Sequence, residues 1–125
     1  MIQQTLVLIK PDGVQRGLVG EIIHRIERTG LKIIAMKMVW ADKKFAEKHY
    51  FDVEERHGKR VLESLTNYLA EGPVIAICFE GIDAISHVRK LVGATYPNEA
   101  FPGTIRGDFC HISKDYANTN NIQIT

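Results

Sequence analysis

Thr5-Leu6-Val7-Leu8-Ile9 is an apolar run rich in β-branched residues, closed at once by Lys10-Pro11-Asp12-Gly13. A run this short, stopped by a Pro-Asp-Gly turn, reads as a buried strand and not as a helix. The same logic divides the rest of the chain. Val19, Ile22, Ile23 and Ile26 follow helical spacing from Val19 to Glu27, and Gly30 supplies a stop. Leu31 to Trp40 reads as a second strand, with Ile34, Met36 and Met38 on one face and Leu31, Ile33, Ala35 and Val39 largely on the other. Asp42 suits the N-cap of a short helix carrying Phe45 and Tyr50. A further helix is expected from about Lys59 to Leu69, ended by Gly72-Pro73. Val74 to Phe79 is a third strand, and Ile82, Ile85, Val88 and Val92 mark the face of a following helix. From Gly93 to Gly107 glycines and prolines predict a long loop, and Phe109 to Ser113 a short fourth strand.

The resulting order, β-α-β-(αα)-β-α-loop-β, contains two split β-α-β halves. The expected class is α/β (α+β): a ferredoxin-like β-α-β-β-α-β sandwich with a four-stranded antiparallel sheet covered by helices. A parallel doubly wound sheet fits the same pattern. Residues 1–125 suit a single domain, with 45% hydrophobic and 25% charged residues, as in a soluble globular protein. A formal net charge of +1 argues against holding nucleic acid by bulk electrostatics, so none is required as a partner. No apolar run approaches the roughly 18 residues of a membrane span, and the first residues lack the pattern of a secretory signal. With Cys78 and Cys110 too few for a disulfide scaffold, a cytoplasmic setting with reduced thiols and no membrane partner is expected.

Standard nucleotide motifs fail. Gly13 to Gly20 is glycine-rich, but its spacing is not G-x-G-x-x-G, and no Gly-Lys-Ser/Thr occurs. These glycines read as loop and helix-packing residues. His24, His49, His57 and His87 lie among charged neighbours and read as surface residues, so no metal ligand is assigned. What remains is a set of cations near chain breaks. Lys10 follows the first strand, Arg89 ends a helix face six residues before Thr95, and Arg106 lies between Gly103 and Gly107. Lys and Arg beside a hydroxyl are what phosphate oxygens need, although spacing alone favours a set of surface cations.

Leu8 to Ile22 is similar, nearly residue for residue, to the start of nucleoside diphosphate kinases. So are His49-Tyr50, Gly72-Pro73-Val74, Arg89 to Thr95, and Pro102-Gly103-Thr104-Ile105-Arg106-Gly107-Asp108-Phe109, all in the family's order. The resemblance implies the ferredoxin-like fold and a homo-oligomer, either hexamer or tetramer. It also implies transfer of a γ-phosphoryl from a nucleoside triphosphate such as ATP to a nucleoside diphosphate. The scheme is ping-pong through a phosphohistidine, with Mg²⁺ bound through the nucleotide phosphates. By position, Lys10 and Tyr50 would lie beside the transferred phosphoryl, and Arg89, Thr95 and Arg106 would hold the other phosphates. Val61 falls where the family usually has a Phe that stacks on the base.

The family's Asn-x-x-His motif beyond Arg-Gly-Asp-Phe does not occur in these residues. His111 stands too early and reads as a strand-surface residue, so no catalytic residue is assigned. The favoured expectation is a chain cut before the histidine motif, with the C-terminal part of the domain and the nucleophile beyond residue 125 and the residues in hand inactive. The alternatives are a nucleotide-binding or assembly paralogue without the histidine, and a regulatory module for another phosphorylated ligand.

Overall fold

The computed structural model describes residues 1–40, 72–113 and 115. Strand β1 spans Ile2–Ile9, helix α1 Pro11–Gln15, helix α2 Val19–Glu27 and strand β2 Lys32–Trp40. Strand β3 spans Pro73–Ile82, helix α3 Ala84–Val92, a 3₁₀ turn Pro97–Glu99 and helix α4 Ile105–Phe109. The expected helices around Phe45 and from Lys59 to Leu69 lie outside the described residues.

Among the described residues the sheet has three strands in the order β1-β3-β2, with both outer strands antiparallel to β3. β1 and β2 therefore run parallel to each other with β3 between them, which makes the first expected split β-α-β unit and removes the parallel doubly wound alternative. Val7, Ile9, Ile75, Ile77 and Phe79 from β1 and β3 meet Ile22 and Ile26 of α2 and Ala84 and Val88 of α3 in one core. The buried pairs are Val7 with Ile77 and Ile9 with Ile75, so one face of the sheet is apolar by alternation.

The fourth strand expected at Phe109 to Ser113 is corrected. Phe109 ends helix α4, and residues 110–113 carry no strand. Local bonds choose the helix: Thr104 caps it, its hydroxyl accepting the Gly107 N–H at 3.0 Å, while Ile105 is buried in the core. Two smaller differences have equally local causes. Pro11-Asp12-Gly13 starts a helix instead of making only a turn, because Pro at the first position and Asp in the first turn both favour a helix N-terminus. In β2 the register shifts between Ile33 and Ala35, a bulge that places Ile33 opposite Phe79 and then Met36 and Met38 opposite Ile77 and Ile75. The expected faces are exchanged past that point, since one inserted residue inverts the alternation.

Phe79 is fully buried in the central strand. Phe79→Ala is expected to lower unfolding free energy by about 3–5 kcal/mol, read from the urea midpoint. A change below about 1 kcal/mol would contradict the position of β3 at the centre of the core.

Candidate nucleotide-phosphate site

Lys10 emerges where β1 ends, directly after the buried Ile9, and its backbone forms the N-cap of α1. α1 is seated tightly there. A Cβ on Gly13 would stand 3.0 Å from Ile9 Cγ2, and one on Gly72 would stand 3.3 Å from Pro11 Cβ. Gly13 thus serves packing, as expected for the glycines after the first strand, whereas a Cβ on Gly17 or Gly20 would meet nothing within 4 Å. The Lys10 side chain is half-buried, and its pKa falls from 10.5 to about 8. Loss of hydration is the main cause, and the charge of Arg106 is the second.

Arg106 belongs to the first turn of α4 and not to a loop. Its Nη1 donates to the Gly93 carbonyl at 3.2 Å. The same Gly93 donates its N–H to the Arg89 carbonyl at 3.0 Å, which closes α3. Gly93 is therefore the junction where the end of α3 meets the side chain of Arg106. Its φ of 91° suits glycine, and a Cβ there would come within 2.7 Å of Thr104 Oγ1 and 3.2 Å of Ala100 Cβ. The Arg89 and Thr95 residues are exposed at either side of this junction. The charge of Arg106 acts on Lys10, and the bond of Arg106 to the Gly93 carbonyl joins it to the turn that closes α3 at Arg89. Tyr50 and Val61 lie outside the described residues.

The turn carrying Arg106 is fixed by further bonds. Thr104 Oγ1 donates to the Phe101 carbonyl at 2.6 Å, and the Gly103 N–H donates to Asp108 Oδ1 at 2.8 Å. The Gly103 N–H, followed by the Arg25 guanidinium, holds the Asp108 carboxyl below the usual range. Arg25 and Asp108, separated by 83 positions in sequence, form an ion pair at 2.5 Å that sequence reasoning did not find. Asp108 is thus bonded within the chain on both carboxylate oxygens, to Gly103 and to Arg25. His111 is exposed and lies outside any strand. Among the described residues no three His, Cys, Asp or Glu side chains group as a metal site, and no helix is long and apolar enough to cross a membrane.

Two neighbouring cations raise each other's electrostatic energy, and a negative ligand near both lowers it. An amine supplies a point charge and a guanidinium a planar fork of donors, a combination suited to phosphate. Gly93→Ala is expected to cost about 2 kcal/mol or more, from left-handed backbone strain and the collision with Thr104, seen as a lowered thermal midpoint. An unchanged midpoint would mean that the junction is not closed as described.

Among the proteins similar to this chain are nucleoside diphosphate kinases. A family profile described as nucleoside diphosphate kinase matches residues 3–122. A nucleoside diphosphate kinase of Archaeoglobus fulgidus is 56% identical over 108 residues, covering 86% of this chain and 70% of that protein. One from Borreliella burgdorferi is 46% identical over 126 aligned positions, covering 99% and 75%. Among solved structures, a transition state mimic of nucleoside-diphosphate kinase from Borrelia burgdorferi with bound vanadate and ADP matches with a TM-score of 0.94 at 46% identity. That match covers 98% of this chain and 74% of the other. A halophilic nucleoside diphosphate kinase from Halobacterium salinarum in complex with CDP matches with a TM-score of 0.83 at 41% identity, covering 93% and 74%. With residues 3–122 matched and relatives this similar covered over most of their length, the chain belongs to the nucleoside diphosphate kinase family, and nucleoside diphosphate kinase activity is its function.

Proposed function

We propose that Lys10, Arg89, Thr95 and Arg106 hold the phosphates of a nucleoside di- or triphosphate during phosphoryl transfer, with Tyr50 beside the transferred group and Val61 against the base. The observation that carries this reading is the pairing of the Lys10 and Arg106 charges beside the Gly93 junction. Lys10 would neutralise charge on the moving phosphoryl, while Arg106 and Arg89 fix the rest of the phosphate chain in line with it. Phosphoryl transfer draws most of its acceleration from such positioning and charge stabilisation. Vanadate with ADP in one relative and CDP in another support phosphates and nucleotides as the ligands. The cationic donor set fits a Mg²⁺ ion that arrives on the phosphates and is held through their oxygens, where it would neutralise further charge.

The phosphoryl would rest on a histidine between two half-reactions. We assign that role to none of the described histidines: His111 is exposed and lacks the surrounding Asn and Ser-Asp of the family's motif. The 125 residues, treated as one domain, are expected to bind nucleotide without phosphorylating themselves, and assembly into a homo-oligomer accompanies this reading.

Titration calorimetry with Mg-ADP tests the site. Arg106→Ala or Arg89→Ala should weaken binding by roughly 1–3 kcal/mol, the loss of one charge-assisted bond. Unchanged affinity in both would sink the assignment. In the same preparation, γ-labelled ATP should leave no acid-labile phosphohistidine, and label that disappears in His111→Ala would reverse the reading of His111.

The pH dependence has a defined sign. Lys10 in the empty site loses its proton near pH 8, and a bound phosphate favours the ammonium. Binding must therefore take up a proton above pH 8, and affinity should fall there by up to about tenfold per pH unit. Below that point the ammonium is already present and Lys10 adds no slope. Lys10→Arg keeps its charge and should flatten the fall, whereas an identical slope in Lys10→Arg would assign it to another group.

A further inference from the structure

The phosphate-holding set gives Arg25 of α2 no task, yet its guanidinium touches three groups. Nη1 donates to Asp108 Oδ2 at 2.5 Å, Nε donates to Glu21 Oε1 at 3.3 Å, and the guanidinium carbon lies 4.5 Å from the centre of the Phe109 ring. Asp108 and Phe109 are both in α4, the helix that carries Arg106. The side chains of Arg25 and Asp108 are only 17% and 29% exposed, so solvent screens this pair less than an open surface pair.

α4 has five residues, too few to hold a helical direction by its own hydrogen bonds. Its orientation must come from what grips it. On a helix, residues two apart point in nearly opposite directions, roughly 200° around the axis. Arg106 and Asp108 are two apart: Arg106 reaches the Gly93 carbonyl and the neighbourhood of Lys10, while Asp108 points back to Arg25. The base of this grip is firm, because Ile22 and Ile26, on either side of Arg25, are buried in the core. Asp108 passes the hold onward through Oδ1 to the Gly103 N–H, which opens the turn before Arg106.

We propose that Arg25 is a positioning residue for nucleotide phosphates, setting from the back of α4 the angle at which Arg106 faces Lys10. The inference rests on the reading of Lys10 and Arg106 as a phosphate site. Arg25 touches no phosphate itself. It acts through Asp108 and Phe109, and its effect on the ligand passes through Arg106.

That route is what a double-mutant cycle measures. Mg-ADP binding is titrated by calorimetry for the full chain, Arg25→Met, Arg106→Ala and the double variant, with the folded fraction of each checked by urea unfolding. Arg25→Met, which keeps the length of the side chain, should weaken binding about threefold to tenfold. Arg106→Ala should weaken it further, and the double variant should bind no more weakly than Arg106→Ala alone. Arg25→Lys, which restores a charge facing Asp108, should recover part of the loss and serves where Arg25→Met reduces the folded fraction. A purely stabilising role would lower the urea midpoint and leave affinity unchanged, or would give losses that multiply in the double variant. Either result overturns the proposal. If Arg106→Ala binds as tightly as the wild type, the phosphate-site reading falls and takes this inference with it. If Arg106→Ala weakens binding while Arg25→Met does not, only the positioning role of Arg25 is lost.

Discussion

Strand β3 is paired on both sides, from Ile75 to Ile82 with β1 and from Pro73 to Glu80 with β2, and Ile77 and Phe79 on it are fully buried. A strand in that place must satisfy its backbone through its neighbours, because burial leaves no water to do so. The chain ends that matter for function are placed by this pairing. Ile9 opposite Ile75 fixes where β1 stops and where Lys10 begins. α3 follows β3 directly and packs Ala84 and Val88 back onto it, which fixes where Gly93 falls. The proposed phosphate site is thus a by-product of two exits from one sheet, Lys10 from β1 and the α3–Gly93 junction from the helix after β3. Arg106 returns from the loop to join them.

Lys10 sits with reduced hydration beside a second cation, so its charge is costly and its pKa is low. Folding tolerates this because the rest of the turn is satisfied: Arg106 on the Gly93 carbonyl, Thr104 on Gly107 and Phe101, and Asp108 on Gly103 and Arg25. Local tension supported by a well-bonded frame is common where a protein must be ready for a charged ligand. The same frame explains why glycine stands at 93 and 107. A Cβ on Gly93 would meet Thr104, and one on Gly107 would meet the Phe101 carbonyl and the Thr104 hydroxyl.

Much of this was legible in the residues, and the failures share a cause. β1, α2 and β3 follow apolar periodicity, which burial enforces directly, and their expected positions agree closely with the structure. α3 occurs where a helix was expected, but Ile82 ends β3, Ile85 is exposed, and Ala84 and Val88 face the core. The bulge in β2 left no mark, because Ile33, Ile34 and Ala35 are all apolar and alternation cannot show which is inserted. Phe109 to Ser113 is short and partly apolar, so nothing within it distinguishes strand from helix end, while the bonds that make Ile105–Phe109 a helix come from Thr104, upstream of that window. The cations were visible as Lys10, Arg89 and Arg106 at chain breaks, and the family resemblance gave them a ligand. The Arg25–Asp108 pair was not visible. Nothing local joins residues 83 positions apart, and each alone resembles a solvated charge.

The Gly93 junction also decides how the segment it closes can vary. Arg106 donating to the Gly93 carbonyl ties together two points 13 residues apart, so the chain between them forms a ring sealed by one side chain. The entropy of closing a ring grows only slowly with its circumference, about 0.6 kcal/mol for each doubling. The stretch around Pro97–Glu99 can therefore gain or lose residues at little cost, provided the seal is kept. Contour length is negotiable in this loop, and the two ends of the seal are not.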